Sequence, residues 1–433
     1  MRSVAVVGAG IAGLTVAHGL RAQAAVTLFE ADDWFGGHAH TVDVTLEGHT
    51  HGVDTGFLVF NQRTYPRLIA LLAELGVATA ASEMSFSVQA PARGLEWSGS
   101  DLNGVFAQRA NLVRPAFWHM LADIVRFNRE TTAIAERNAE AEVDQSIGDF
   151  LDRGRYSTAF SDGYFLPMIG CIWSCPTEQM LRFPIGTMIR FCHNHGLLQL
   201  ADRPQWHTVI GGSRHYVQKI VARLADARAN TPVRSVRRLP PGQGQGGVIV
   251  TTDHGSQRFD DVVLAGHSDQ SLALLADATP DERSVLGAIR YHVNRAVLHT
   301  DASVLPCRQR AWAAWNYERA SQLSREQSGV CLHYLINRLQ PLPWATPTLV
   351  SLNPVRTLRD DAVLGQWDCA HPVFDRAAIA AQQRLPTIQG RSHLWFCGAW
   401  TRYGFHEDGL LSGEAVVDGL RARWAAQMSG RAA

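Results

Sequence analysis

Apolar residues come in two spacings at the start of this chain, and their alternation predicts its first structural unit. Val4-Ala5-Val6-Val7 is an unbroken apolar run of the buried-strand kind, stopped by Gly8. Residues 11–21 space their apolar side chains for one face of a helix, and Val26-Thr27-Leu28-Phe29-Glu30 returns to the strand pattern. Residues 3–30 therefore read as strand, turn, helix, strand: one βαβ unit.

Farther along, the spacing predicts a helix over 65–75, closed by Gly76, and a strand over 85–88. Residues 112–137 have amphipathic helical spacing, and helical segments continue through Phe165 and Met188. The pattern changes near Gly211-Gly212. A helix over 216–227 precedes two strand-like runs, 233–236 and 248–251, which read as an antiparallel pair. The Pro/Gly/Gln stretch 240–247 between them is a loop by composition. Residues 261–266 form another buried strand, 394–398 a last strand and 413–425 a closing helix; 271–388 mixes helices and strands without a repeat. Buried-strand pieces of one kind thus lie at both ends and in the middle, with a second domain threaded between them.

Composition narrows the function classes. The chain has 433 residues, 46% of them hydrophobic and 18% charged, which suits a globular protein of more than one core. Its formal net charge is zero, so a nucleic-acid partner, which needs a basic excess, is not expected. Lys219 is the only lysine, so Schiff-base or lysine-base chemistry can come from that residue alone. The cysteines are scattered, with no CxxC pair and no Cys/His set of zinc spacing. We expect no disulfide framework, no metal site and a reduced, cytoplasmic setting. The strand beginning by Val4 leaves no room for a signal peptide, and no apolar run is long enough to cross a bilayer.

Gly8-Ala9-Gly10-Ile11-Ala12-Gly13 fits GxGxxG directly after a strand and before a helix. Gly8 permits the tight turn, Gly10 the approach of backbone to a pyrophosphate, and Gly13 close packing of helix on strand. The helix N-terminus adds free N–H groups and its dipole. Glu30, ending the second strand, stands where a ribose would be held. Gly36-Gly37, followed by Thr41, is an ordinary turn or a second point of close approach.

From VVGAGIAGL through FEADDWFGGHAHT the sequence resembles the flavin-dependent amine oxidase and phytoene desaturase superfamily, which includes monoamine oxidases, protoporphyrinogen oxidases and carotenoid desaturases. The resemblance implies an α/β fold: a Rossmann-like FAD-binding domain of the glutathione-reductase type, with an inserted mixed α/β substrate domain. Segments 1–75, 205–270 and 390–433 would form the first, and 76–204 and 271–389 the second. It implies noncovalent FAD held by Gly8, Gly10, Ile11, Ala12, Gly13 and Glu30, with Gly36, Gly37, His38 and Thr41 on the pyrophosphate side. Asp54, Thr55 and Gly56 would cross under the isoalloxazine, Gly212 would pass near the flavin, and Val233 would lie on the adenine side. Gly398 would approach the ribityl-phosphate. Asp408, Gly409, Leu410 and Leu411 would sit at a helix N-terminus beside the isoalloxazine, whose reduced form that dipole would favour.

The departures also carry information. His38 replaces an arginine common in relatives, and Ala399 a glutamate. Amine oxidases of this family place a lysine near the flavin; the comparable strand here, Asn294-Arg295-Ala296-Val297-Leu298-His299, has none. GGHAHTV, IWSCP, NHGLLQL, PQWHTVIGGSRHYV, NRAVLHTD and Tyr403-Gly404-Phe405-His406-Glu407-Asp408-Gly409 resemble a narrower group, bacterial NAD/FAD-binding oxidoreductases associated with cyclopropane-fatty-acid synthase-like methyltransferases. That resemblance implies oxidation or desaturation of an apolar substrate, a methyl-branched acyl chain of a lipid, with a lipid methyltransferase as partner. Oxidation of a small amine and a non-catalytic flavoprotein are the rival readings.

Desaturation needs a proton acceptor as well as a hydride acceptor, and the candidates are His406, Glu407 and Tyr403, then His38. His406 and Glu407 could equally orient the loop. Trp173, Cys171 and Cys175 line a substrate tunnel or pack in a core. His193 and His195 stand two residues apart, facing different sides of a helix, which speaks against a metal pair. Residues 112–127 are a cap on the substrate domain or a helix lying on the inner face of a membrane.

Overall fold

The computed structural model describes residues 1–139, 143, 145–199, 203–239, 246–319 and 330–429. Five parallel strands carry the glycine turns, in the order Asp226–Arg228, Ala24–Phe29, Arg2–Val7, Asp261–Leu264, Leu394–Phe396. Three separated regions of the chain supply them. The central strand is covered on both faces, with Val4, Ala5 and Val6 fully buried, which is why it reads as an unbroken apolar run.

Helix Ile11–Leu20 follows the first turn, and the closing helix His406–Ser429 crosses it. The closing helix starts seven residues before the spacing suggests, so Asp408 to Leu411 lie inside its first turns rather than in a turn before it. Gly409 and Gly413 lie in those turns. They are needed for the crossing: a Cβ on Gly409 would stand 2.7 Å from Ile11 Cγ2, and one on Gly413 2.6 Å from the Ala12 carbonyl oxygen.

The predicted helix over 216–227 is Arg214–Val221, and Asp226–Arg228 joins the parallel sheet instead. Pairing with Ala24–Phe29, reinforced by the Thr27 hydroxyl on Asp226 (2.9 Å), overrides the local spacing. Strands Val233–Arg238 and Val248–Thr252 are antiparallel, as expected, with Gly255–Phe259 as a third. Of the loop between the first two, 240–245 lies outside the described residues.

The remaining large sheet has seven strands, ordered Val363–Val373, Arg290–His299, Leu349–Leu352, Cys331–Leu335, Trp315–Glu318, Phe86–Ala90, Leu95–Ser98. Helices Pro115–Glu136, Leu166–Trp173 and Ile185–Asn194 belong to the same half. Phe117 reaches the ring of Trp97 at 6.2 Å, and Trp97 donates to the Gly163 carbonyl at 3.1 Å. Among the described residues no helix is long and apolar enough to cross a membrane.

Candidate cofactor and active site

The first turn is built as GxGxxG requires. Gly8 has a positive φ of 99°, and a Cβ on Gly13 would fall 1.9 Å from the Gly8 carbonyl oxygen. Gly10 differs: a Cβ there would meet nothing within 4 Å. Behind it, helix Ile11–Leu20 has no side-chain cap and no acid in its first turn. An uncapped, acid-free helix N-terminus behind a glycine that fronts open space fits a diphosphate. Glu30 is buried, and its carboxylate already accepts from the N–H groups of Ala9 (2.8 Å), Ala31 (2.7 Å) and Asp32 (3.1 Å). It fastens the turn first and offers a ribose its remaining lone pairs.

Gly36-Gly37 lies directly on this turn. The Gly36 N–H donates to the Ala9 carbonyl at 2.9 Å, and a Cβ on Gly37 would stand 3.2 Å from Gly10 Cα. Residues 38–40 then run beside 55–57: the N–H groups of Thr55 and Phe57 donate to the carbonyls of His40 and His38. Gly56 is needed there, since a Cβ would approach the His38 carbonyl oxygen to 2.3 Å.

Asp54 and Thr41 turn their side chains inward, against the backbone at Gly212 and Ser213. The buried Asp54 carboxylate accepts from the Thr41 hydroxyl (2.6 Å), the Ser213 N–H (2.9 Å) and Gln340 Nε2 (3.0 Å). Burial raises Asp54 to about 6, partly offset by those bonds. A Cβ on Gly212 would strike Thr41 Cγ2 at 2.3 Å. These residues tie three chain segments together beneath the crevice. Val233 is buried in its strand, and Gly398 donates its N–H to the Ser412 hydroxyl at 2.9 Å.

The base candidates separate. Glu407 accepts from the backbone N–H groups of Arg67 (2.8 Å) and Leu68 (2.9 Å), capping helix Pro66–Glu74. Each oxygen holds a backbone N–H, so Glu407 ties its loop to the start of helix Pro66–Glu74. Asp408 likewise accepts from the Phe405 N–H at 3.0 Å, which fills part of the closing helix's own N-terminus. His406 Nε2 lies 2.7 Å from the Tyr216 hydroxyl, and its ring stacks on Phe57 at 3.9 Å. Burial lowers it to about 3, so the imidazole is neutral. Tyr403 is half-buried, its carbonyl accepts from Trp173 Nε1, and its ring is 5.9 Å from Phe191.

His38 has exposed surface, yet the protein around it pushes its imidazole down to about 4. A ring that is both accessible and crowded on all sides borders an internal crevice. His371 shares it, 5.2 Å from His38, and His267 stands 6.4 Å from His38 on the far side of the Gly266 turn. Hydrogen bonds fix the proton of His371. The Arg295 N–H donates to Asn353 Oδ1 (2.9 Å), so Asn353 Nδ2 donates to Asn294 Oδ1 (2.7 Å), and Asn294 Nδ2 donates to His371 Nδ1 (3.0 Å). Flipping either amide would set donor against donor, so the chain is anchored by the backbone N–H. With burial lowering His371 to about 3, the ring is neutral and carries its proton on Nε2.

The sequence reading did not single out a polar line inside the seven-stranded sheet. Arg356 Nε donates to Glu318 Oε1 (2.6 Å), and Glu318 Oε2 meets His333 Nε2 at 3.1 Å. The Ser351 hydroxyl lies 2.6 Å from both His333 Nδ1 and His299 Nε2. Glu318, Cys331 and His333 are a grouping of metal-ligand types, all buried. The Arg356 guanidinium beside them opposes a cation, and every member has a partner. His195 stacks on Phe191 at 3.9 Å, as a packing residue. Cys171 is buried, while Trp173 and Cys175 border a narrow, shallow apolar cleft with Met180, Phe183, Val373 and Phe374.

No curated protein matches the sequence significantly. Solved structures do. A CLA-producing fatty acid isomerase from P. acnes is 14% identical, with a TM-score of 0.66 over 96% of this chain and 98% of its own. Putrescine oxidase bound to putrescine is 16% identical, with a TM-score of 0.66 over 97% and 99%. Cyclohexylamine oxidase from Brevibacterium oxydans IH-35A is 15% identical, with a TM-score of 0.66 over 97% and 99%. At such identities they establish the fold. Residues 11–308 match the profile of the flavin containing amine oxidoreductases. The chain belongs to that family, and it is an FAD-dependent oxidoreductase.

Proposed function

We propose that the protein withdraws hydrogen from an apolar substrate, an acyl chain of a lipid, methyl-branched chains foremost. The observation that carries this reading is the position of the lysine. Lys219 Nζ donates to the carbonyls of Leu75 (2.8 Å) and Gly76 (2.7 Å), closing helix Pro66–Glu74. Amine oxidation that relies on a lysine beside the flavin has none to use. The crevice holds His371 instead, a neutral Nε2–H donor suited to an ester oxygen or a water.

FAD, when bound, supplies the hydride acceptor. The residues of the chain supply the rest. Trp173, Met180, Phe183, Val373 and Phe374 line a narrow apolar cleft, which must widen before an alkyl chain enters it. His406, neutral and held by Tyr216 and Phe57, and Tyr403 are the base candidates of this reading, although a value near 3 makes His406 a weak proton acceptor. The fold alone does not choose the substrate, since it serves both a fatty acid isomerase and amine oxidases.

The test is anaerobic mixing of the flavin-loaded protein with methyl-branched acyl lipids, straight-chain acyl lipids and small amines. Bleaching of the flavin absorbance by acyl lipids is expected. Bleaching by an amine alone would move the protein to amine oxidation, and bleaching by none would leave a flavoprotein without this catalysis.

A further inference from the structure

We infer that residues 102–118 form a docking surface for a lipid bilayer carrying anionic headgroups. Helix Pro115–Glu136 buries Phe117, Met120, Ile124 and Phe127, so it does cap the substrate half. Its N-terminal end does something else. Val113 is 82% exposed, Leu102 78%, Trp118 49% and Leu112 47%. They are neighbours: Trp118 Nε1 donates to the Leu112 carbonyl at 2.9 Å, and the Trp118 ring lies 5.5 Å from Phe106, which ends helix Leu102–Val105. Singly exposed apolar residues are ordinary, but a tip that gathers four of them marks an interaction site.

Charge identifies the partner. No acidic residue occurs between Asp101 and Asp123, while Arg109, Arg114 and His119 do. Arg310 borders the same patch, its carbonyl oxygen 3.5 Å from a Cβ placed on Gly104. The flanking acids are already paired. Asp101 caps helix Leu102–Val105 through the Gly104 N–H, Glu96 holds Arg308 and the Cys307 N–H, and Asp123 holds Arg126 and the Ser157 N–H. An apolar tip inside an arginine rim, with a tryptophan whose N–H is satisfied by the protein, matches the interface of an anionic bilayer. A protein partner of ordinary interface composition would not require the one-sided charge.

This surface gives the acyl-lipid reading its route to substrate and rests on that reading for its purpose, but its test needs no turnover. The flavin-loaded protein is sedimented with phosphatidylcholine vesicles, with and without phosphatidylglycerol. Binding to the anionic vesicles is expected, weakening with salt. Val113→Glu should reduce it tenfold or more, and Arg109→Gln about fivefold at low salt. Both variants should keep the wild-type flavin spectrum and melting temperature, which shows that they fold. Failure of the wild type to bind, or binding untouched by Val113→Glu, overturns the inference. So does a solution dimer that Val113→Glu dissociates, since the patch would then hold a second copy. If vesicles bind and detergent-dispersed acyl lipid still leaves the flavin oxidised, docking stands and the substrate reading fails.

Discussion

Two regions of this molecule bury histidines, and they treat them in opposite ways. In the crevice at the glycine turns, His38, His267, His371 and His406 are lowered to between about 3 and 4, with burial as the main cause. Among the described residues no carboxylate raises them again. In the seven-stranded sheet, burial also pulls His333 down, but Cys331 and Glu318 outweigh it and raise the imidazole to about 9. The sheet closes its polar groups on one another, while the crevice leaves nitrogen atoms and helix N–H groups for something that is not protein. A satisfied network specifies a structure; an unsatisfied one specifies a ligand.

The sharpest way to break this contrast is Glu318→Gln. It strips the counter-charge from buried His333 and Arg356 and should destabilise the fold by about 3 to 5 kcal/mol. Denaturant titration at several pH values checks it and separates the two regions. The contribution of His333, whose value is raised, is complete below its ordinary 6.5 and fades as pH rises toward about 9. That of the crevice histidines, whose values are lowered, is complete above 6.5 and fades as pH falls toward about 4. The wild type should lose stability on both sides. Glu318→Gln should lose the alkaline limb only.

Gly10→Ala probes the opposite region. No protein atom lies within 4 Å of the added methyl, so the apoprotein should change by less than about 1 kcal/mol. FAD affinity should nevertheless fall tenfold or more, read by flavin fluorescence during titration. Equal losses of stability and affinity would mean that the space before Gly10 is not kept for the cofactor. Asn294→Asp probes the same crevice: it places an acceptor at His371 Nδ1 and moves the ring proton there. ¹⁵N spectra of histidine-labelled protein should show the inverted tautomer, and flavin reduction by substrate should slow about 100-fold. Lys219→Met comes last. It removes a bond to two helix-end carbonyls, so stability should drop by about 1 kcal/mol with flavin reduction unchanged.

The opening βαβ unit was legible because each glycine has one local reason to be there. The antiparallel pair near Val233 and Val248 was legible from its spacing. The true start of the closing helix was not legible, because Gly409 and Gly413 serve a helix crossing made with distant Ile11 and Ala12. The backbone partners of Glu407 were hidden for a similar cause: Arg67 and Leu68 lie far back along the chain. The line from Arg356 to His299 stayed hidden because each of its strands contributes only one or two polar residues. Cys331 and His333, two apart on one strand, were the one sequence signal pointing to it.

The parallel sheet also sets an order of events during synthesis. Leu394–Phe396 emerges only after the seven-stranded sheet has been translated, and Asp261–Leu264, the partner of the first-made strand Arg2–Val7, follows that strand by roughly 250 residues. Until then one edge of an apolar strand waits unpaired, a template for wrong pairing. The N–H groups of helix Ile11–Leu20 can gather around a diphosphate earlier, but helix His406–Ser429 locks over them only at the end. Cofactor capture should therefore be a late step, and a nascent chain stopped before Leu394 should need a chaperone rather than flavin to stay soluble.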